Sequence, residues 1–548
     1  MNICIIGSGP AGMVLALEFA NTGFEVTLIE SGSHKNNSNS QKLSEAHLEP
    51  NSTHSLMNDA VSRQFGGTSN LWGGRCVPYD EIDFYNRSEV GVLGWPFSKD
   101  ELDKYWDKAC FYANCGKAEF LRTEAIPGSS SLTESFVDST IRSDQLERWS
   151  SNPVLITQLG QGLSTHPNIR CMLGWTAKNF SRNKSDRVDG VFVCKTDVKK
   201  ANNVEELLIK TDLVIVACGG VESTRLLLNA LESKRINVDG YKHLGRYYMG
   251  HLSGKIATIN FNGDPKKTDY SFHLSNGFYV RRRITFTKDE LIDKKILNIA
   301  FWLDNPIINN PRHKSGILSS AYLAMVLPII GKRLAPKAIR NALIGNTLSI
   351  SIVWHHIINV FTQLPLAIRF SVNFIWKRYF KSPRIPGFFV FSPTNTYALH
   401  FHSEQSSNWN SRISLIDDED AIGMKRAKIS LLYQQRDAES IVRAHELLDK
   451  HLQVNHIGSL EYWYPKKDLT EVVLSQAKDG FHQIGTIRMA LSSKDGVTDE
   501  FGRVYGMENL YVCSSAVFPT SGQANPTLTI LAFALRQVDH IKKIANLQ

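Results

Sequence analysis

The feature that most constrains this chain is a glycine-rich turn between an apolar run and a helical run at its start. Residues 3–6 are apolar, and Gly7-Ser8-Gly9-Pro10-Ala11-Gly12 follows them directly. A second apolar run ends in Glu30, eighteen residues after Gly12. A strand, a Gly-x-Gly-x-x-Gly turn, a helix and a second strand ending in an acid are typical of a dinucleotide-binding βαβ unit.

Each residue of this pattern has its own expected role. Gly7 allows the tight turn, Gly9 lets the backbone approach a pyrophosphate, and Gly12 allows close packing of helix on strand. Glu30 accepts hydrogen bonds from the adenosine ribose, and its charge disfavours the 2′-phosphate of NADP. The pattern alone does not separate FAD from NAD.

A second glycine-rich segment follows at residues 63–75. Four of the nine residues from Gly66 to Gly74 are glycines, so backbone amides can crowd against a flat or anionic ligand. Phe65, Leu71 and Trp72 lie in the same segment and make a mere surface turn the weaker interpretation.

The end of the chain contributes a histidine and a predicted helix start. His482 lies just before Gly485-Thr486, and Asn525-Pro526 precedes the apolar run 528–535. Asn is a favoured N-cap and Pro a favoured first helical residue, and a helix start favours negative charge. From these residues alone, a simple helix cap for Asn525 and a core histidine for His482 are the favoured interpretations.

Taken together, these segments resemble the glucose–methanol–choline (GMC) family of FAD-dependent oxidoreductases. Residues 212–225 and Leu244-Gly245-Arg246, with His251 shortly after, extend the resemblance. It is strongest for the branch with pyranose oxidase and membrane-linked sugar dehydrogenases, and weak between about 255 and 395. We therefore expect an α/β fold, with a Rossmann-like FAD-binding domain assembled from residues 1–110, 150–250 and 480–548. Residues 251–479 would form a substrate domain with an antiparallel sheet and a helical insertion at 312–384.

The resemblance also implies site residues. His482 and Asn525 match the family's active-site pair. The ADP half of FAD would be held by Gly7, Gly9, Gly12 and Glu30. The isoalloxazine side would be lined by Gly66, Gly67, Thr68, Asn70 and Gly73. The rest of the expected FAD site is Pro10, Ala11, Ser31, Arg63, Leu71, Trp72, Ala217, Gly219, Ser515, Ala516, Pro526 and Thr527. Leu71 stands where pyranose oxidase has its flavin-anchoring histidine, so we expect non-covalent FAD.

The charge distribution singles out the middle of the chain. From Asn305 to Ser403 there is no Asp or Glu, and residues 312–384 contain eleven Lys or Arg. This stretch therefore has a net charge of +11. Because the whole chain has a net charge of +9, the rest of the chain has a net charge of −2. The uncharged run 341–368 is long enough to span a bilayer, but its Asn, His, Gln and Pro residues make a span unfavourable. We expect this insertion to contact an anionic membrane peripherally, with a lid or buried insertion as the alternative. The charges flank apolar runs and form no compact patch, so nucleic acid is not expected.

Cysteines and histidines give weaker signals. The eight cysteines show no metal-ligand pairs, and Cys110 and Cys115 fall in a helical-looking stretch where they would point apart. Residues 396–416 alternate like a strand, with His400 and His402 on one face and no third ligand, so no metal site is expected. No export signal precedes residue 3, so we expect a cytoplasmic protein, peripheral on the inner membrane face.

The predicted activity is FAD-dependent oxidation of a CH–OH group of a sugar or other alcohol, with His482 as base. Oxygen, a quinone or a protein remain open as electron acceptors. A lipid-like alcohol oxidised at the membrane and a non-catalytic flavin-binding protein are the alternatives. A pyridine-nucleotide-disulfide reductase is disfavoured, because it needs a second nucleotide fingerprint and a reactive cysteine pair.

Overall fold

A computed structural model describes the chain except residues 130, 135, 185, 198–204, 270, 335–348, 388 and 548. Its centre is a five-stranded parallel sheet built from both ends and the middle of the chain. In spatial order the strands are Leu510–Val512, Leu213–Val216, Asn2–Ile6, Glu25–Glu30 and Ile169–Leu173. This confirms the α/β fold class with a Rossmann-like domain.

Helices and a small sheet cover this core. The helix Pro10–Ala20 is apolar on all sides and almost entirely buried, because it lies between the sheet and the helix Thr527–Leu547. Gly219–Glu232 follows the strand Leu213–Val216 directly. A three-stranded antiparallel sheet is formed by Trp175–Arg182, Val188–Lys195 and Glu206–Lys210.

A second large sheet, antiparallel and six-stranded, forms the other half of the molecule. Its strands, in spatial order, are Gly458–Tyr462, Leu252–Phe261, Thr396–Ser403, Ile299–Asp304, Ile284–Phe286 and Ile141–Arg142. The helices Gln435–Val454 and Leu469–Gln476 share a buried apolar cluster with it. Because residues 141–142 belong to this sheet, it also includes chain that the predicted boundaries left unassigned.

The strand predicted over 396–416 is two strands in different sheets. Thr396–Ser403 lies inside the six-stranded sheet, whereas Arg412–Glu419 pairs with Lys425–Ser430, which in turn pairs with His47–Leu48. The segment between them follows no strand geometry, and it runs from buried residues at 404–406 to exposed ones at 409–410. Apolar and polar residues alternate with a period of two across this break, so the sequence pattern did not indicate where the first strand ends.

A four-stranded sheet links the two halves. Its order is His273–Ser275, Phe278–Arg282, Leu146–Trp149 and Arg75–Cys76. The edge strand Arg75–Cys76 begins at the last residue of the second glycine-rich segment, so its pairing ties that segment to the strand Leu146–Trp149.

The insertion is helical where the structure describes it. Its elements are Gly316–Val326, Pro328–Leu334, Ile350–Thr362, Leu364–Ile375 and a π-helical turn, Trp376–Phe380. Among the described residues no single helix is long and apolar enough to cross a membrane. Ile350–Thr362 and Leu364–Phe380 together have the length and composition, but they meet at an angle of 88°.

The prediction that Cys110 and Cys115 point apart on one helix is wrong. The helix Trp106–Ala113 ends before Cys115, because Asn114 takes a left-handed conformation with φ of 52°. Cys115 N then donates to Cys110 O at 3.0 Å, and the two thiols interact. Both cysteines are free and buried.

Candidate active site

The first glycine-rich turn has no room for side chains at two positions. A Cβ on Gly12 would lie 1.9 Å from Gly7 O, and one on Gly7 would lie 2.6 Å from Ala217 O. Gly7 also has a φ of 102°, which favours glycine. The turn therefore packs backbone to backbone, and the helix Pro10–Ala20 begins beside the ends of two parallel strands.

Glu30 braces this turn. Its Oε2 accepts hydrogen bonds from Ser8 N (3.0 Å) and Ser8 Oγ (2.7 Å), and its Oε1 accepts one from Gly32 N (2.7 Å). A carboxylate has about four acceptor positions, so one remains for a ribose hydroxyl. The ribose contact of Glu30 stays a prediction.

A cleft of about 420 Å³ runs from this turn to the C-terminal segment. Most of the expected site residues line it, namely Gly7, Gly9, Pro10, Ala11, Glu30, Ser31, Arg63, Gly67, Thr68, Leu71, Trp72, Gly73, Ala217, Gly219, His482, Ser515, Asn525, Pro526 and Thr527. The glycine-lined turn, the acid and the apolar walls form a site of the kind that a dinucleotide with a flat ring requires.

Four predicted cofactor residues lie behind the residues that line the cleft. They are Gly12, Gly66, Asn70 and Ala516. Gly66 has a φ of 94° and packs against Ile156, and the Asn70 amide donates to Phe65 O (3.0 Å) and Gly67 O (2.8 Å). Ala516 is fully buried and Gly12 packs on Gly7. Asn70 therefore fixes the loop that bears Gly67 and Thr68.

Asp479 positions His482. Its Oδ2 lies 3.0 Å from His482 Nδ1 and accepts from His251 N at 2.8 Å. Its Oδ1 accepts from the backbone N–H groups of Gly480, Phe481 and His482 at 2.8, 2.9 and 3.2 Å. Burial alone would raise the pKa of Asp479, but the charge of His482, its hydrogen bond and the His251 ring, whose Nδ1 lies 3.7 Å away, hold this pKa well below its usual range. The ionised carboxylate fixes the proton of His482 on Nδ1 and leaves Nε2 as an acceptor.

Two further imidazoles surround His482. The His251 ring lies 4.6 Å from that of His482 and stacks on His402 at 4.4 Å. Burial lowers the pKa of His251, and lowers that of His402 well below its usual range, so both are neutral at cellular pH. His251 bonds to Ser521 O (3.2 Å) and His402 to Gln523 O, which ties both rings to the segment before Asn525.

Asn525 lies one residue further from the helix than predicted. Pro526 O accepts the first helical hydrogen bond, from Ile530 N at 2.8 Å, and the helix begins at Thr527. Pro526 therefore has the cap position that was predicted for Asn525. The Asn525 side chain instead meets Arg75, whose Nη1 lies 3.4 Å from Asn525 Oδ1.

Two family models match the segments that carry this site. The model described as GMC oxidoreductase matches residues 408–534, which include Asp479, His482 and Asn525. One described as an NAD(P)-binding Rossmann-like domain matches residues 5–38. Both matches support the assignment of the chain to the GMC oxidoreductases. The family match and the relatives support FAD as the cofactor and the oxidation of a CH–OH group of a small-molecule alcohol as the reaction.

Individual proteins agree with this GMC assignment. The chain is 21% identical to a 2-methyl-1,2-propanediol dehydrogenase of Mycolicibacterium austroafricanum, over 99% of this chain and 95% of that one. A segment of 53 residues, 10% of this chain and 7% of the other, is 42% identical to a long-chain-alcohol oxidase of Arabidopsis thaliana. The fold is similar to that of pyridoxine 4-oxidase from Mesorbium loti, with a TM-score of 0.54 at 14% identity, covering 99% of each chain.

The sequence did not predict that His251, His402 and His482 form a cluster. Nitrogens of His251, His402 and His482 lie within 4.8 Å of one another, a spacing that also suits a metal ion. No local spacing predicted this cluster, because His251 and His482 lie about 150 and 80 residues from His402 in the sequence. The charge of Arg75, which further lowers the pKa of His402, disfavours a cation here, and we propose no metal.

Asp479 and Glu222 are the other residues that sequence reasoning missed. An acid three residues before His482 was a usable signal for Asp479. Glu222 lines the cleft and pairs with Arg63, whose Nη1 also donates to Ser31 Oγ at 2.8 Å.

Proposed function

We propose that this protein oxidises a sugar or other small alcohol with His482 as the base for the hydroxyl proton. The hydrogen bond between Asp479 and His482 beside the cleft carries this proposal, because it leaves Nε2 of a positioned imidazole free to accept a proton. Bound FAD supplies the hydride acceptor, flavin N5. General-base help of this kind contributes about 10²–10⁴-fold to rate.

The neighbouring side chains support the same reaction. Asn525 carries both a carbonyl and an NH₂ group, so it can orient a hydroxyl while its Oδ1 accepts from Arg75. His251 and His402 are neutral and buried, and they exclude water from the base without competing for its proton.

FAD is held non-covalently in this proposal. Leu71 lines the cleft where the resemblance places an anchoring histidine, and a leucine side chain cannot bond to the ring. Denaturation of the purified protein should therefore release the yellow colour into the filtrate.

Anaerobic mixing with a panel of sugars and alcohols tests the base. A true substrate should bleach the flavin, and His482→Ala should slow bleaching by about 10²–10⁴-fold with FAD still bound. His47→Ala, which removes an exposed histidine, is the matched control and should bleach as wild type does. Equal bleaching rates for wild type and His482→Ala would refute the role of the base.

A lipid-like alcohol is the second candidate, favoured by the surface of the insertion. Large apolar side chains on its helices are exposed, including Ile350 at 90%, Phe361 at 72%, Val372 at 64% and Phe380 at 70%. The surrounding residues 305–403 contain no acid. We propose that this insertion contacts the inner face of a cytoplasmic membrane, from which a substrate or a quinone acceptor could be delivered. Oxygen and a protein remain the other candidate acceptors.

A further inference from the structure

Three arginines meet where the second glycine-rich segment joins the four-stranded sheet. Arg75 begins the edge strand, and Arg281 is paired in register with Glu147 on adjacent strands. Arg283 is the first residue after the strand Phe278–Arg282, and its backbone N–H donates to Gln145 O at 2.8 Å. We call Arg75, Arg281 and Arg283 the arginine cluster.

Carboxylates do not balance the charge of the arginine cluster. Glu147 is fully buried and accepts hydrogen bonds from both Arg75 Nε and Arg281 Nη2, so one carboxylate serves two guanidiniums. Arg283 Nη2 lies 3.9 Å from Asp80 Oδ1, while the other oxygen of Asp80 accepts from Asn298 and Gln523. Three positive charges thus face two negative ones.

The arginine cluster also contains N–H groups without hydrogen-bond acceptors among the described residues. Among the described residues, the buried Nη2 of Arg75 and the buried Nε and Nη1 of Arg283 have no hydrogen-bond partner. The Arg283 side chain is only 1% exposed. A buried guanidinium with unsatisfied donors is destabilising unless an anion meets it, and its planar fork suits an oxyanion.

The cluster adjoins the proposed base. Arg75 contacts Asn525 and lies 4.3 Å above the Trp302 ring, which Arg281 also approaches at 5.3 Å. Trp302 in turn lies 6.2 Å from His402, a neighbour of His482. A group bound by these arginines would therefore lie beside Asn525, one of the residues that line the cleft.

We propose that the alcohol substrate carries an oxyanion, a carboxylate or a phosphate ester, which the arginine cluster binds close to the reacting carbon. The inference rests on the proposed function and makes it more specific. Acidic sugars and other hydroxy acids, or sugar phosphates, are then preferred over neutral alcohols. The substrate supplies the negative charge that Glu147 and Asp80 leave unmatched.

Two series of compounds distinguish the sources of the oxyanion. Anaerobic flavin bleaching is measured with sugar acids against their methyl esters, and with sugar phosphates against the free sugars. The preferred series should show at least about tenfold higher efficiency for the charged member, since hydrogen bonds to charged groups have that effect. Equal efficiency for charged and neutral members in both series would overturn the inference.

Arg283→Met tests the cluster itself, with Arg142→Gln as the control that removes a half-exposed arginine bonded to Asp144. Arg283→Met should lower the efficiency for the charged member by roughly 10- to 100-fold and leave the neutral member within about threefold. If Arg283→Met lowered the efficiency equally for the charged and the neutral compound, Arg283 would serve folding or FAD binding, and its proposed role in binding the oxyanion would be refuted. If Arg283→Met fails to fold, Arg283→Lys replaces it, because it keeps the charge but loses the fork.

A binding measurement separates this inference from the proposed function. The FAD-loaded protein is titrated with inorganic sulfate and with malonate, followed by the flavin absorbance. A saturating shift that weakens at least about tenfold in Arg283→Met supports the cluster even if no compound bleaches the flavin, which would count against the proposed function alone. Absence of any saturating shift in wild type would overturn the cluster as an anion site.

Discussion

At the scale of single residues, the site depends on a carboxylate, Asp479, that does not itself line the cleft. Asp479 gathers three backbone N–H groups, the backbone of His251 and the ring of His482. It is a positioning residue, since its effect on an alcohol passes through the imidazole. Of this arrangement the sequence predicted His482 and Asn525, because both match motif positions. Asp479 and Arg75 act through tertiary contacts that no local pattern records.

Asp479→Asn should slow flavin bleaching by at least about tenfold, within the range that His482 itself supplies, and Asp495→Asn, at an exposed acid, should not. An amide lets the imidazole turn or change tautomer, so the pH profile of bleaching should change as well as its rate. A lower rate with an unaltered profile would assign Asp479 to folding alone.

The same substitution has a predicted stability signature. Because the folded-state pKa of Asp479 is depressed, its ionised form stabilises the fold above the ordinary carboxyl pKa of about 3.9, and this contribution is lost as pH falls through the folded value. The difference in unfolding free energy between wild type and Asp479→Asn should therefore be largest near neutral pH and shrink in acid. A difference that grows in acid would contradict the depressed pKa.

At the scale of elements, the insertion is the part of the chain that packing explains least. Its helices share one small buried cluster, centred on Leu318 and Tyr322, and leave their other faces apolar and exposed. A surface of this composition beside a region without acids is what an anionic bilayer binds. Charge patterning predicted the element, but only the structure shows which side chains it exposes.

Flotation with vesicles tests this element. The protein should float with phosphatidylglycerol vesicles at low salt and much less at 1 M salt, where the Debye length falls to about 3 Å. Phe361→Ser combined with Val372→Ser should reduce flotation, whereas Leu491→Ser, at an equally exposed leucine outside the insertion, should not. Flotation unaffected by the double substitution, or absent at low salt, would refute membrane contact.

At the scale of the whole molecule, the fold joins chain ends that lie more than five hundred residues apart. Gly7 and Gly9 at one end, and Asn525 and Thr527 at the other, line one cleft. The parallel sheet was predictable because its glycine turn and buried strands are local patterns. The four-stranded sheet was not, because residues 75–76, 146–149 and 278–282 pair over long sequence distances without a shared motif.

The most direct test of the account is a crystal structure of the FAD-loaded protein. It should place the reactive edge of the isoalloxazine, with N5, opposite Nε2 of His482 and the side chain of Asn525, with room for one alcohol between them. The adenine end should lie at Gly7 and Glu30. A flavin whose N5 faces away from His482 would contradict the proposed reaction, however well the dinucleotide fits its turn.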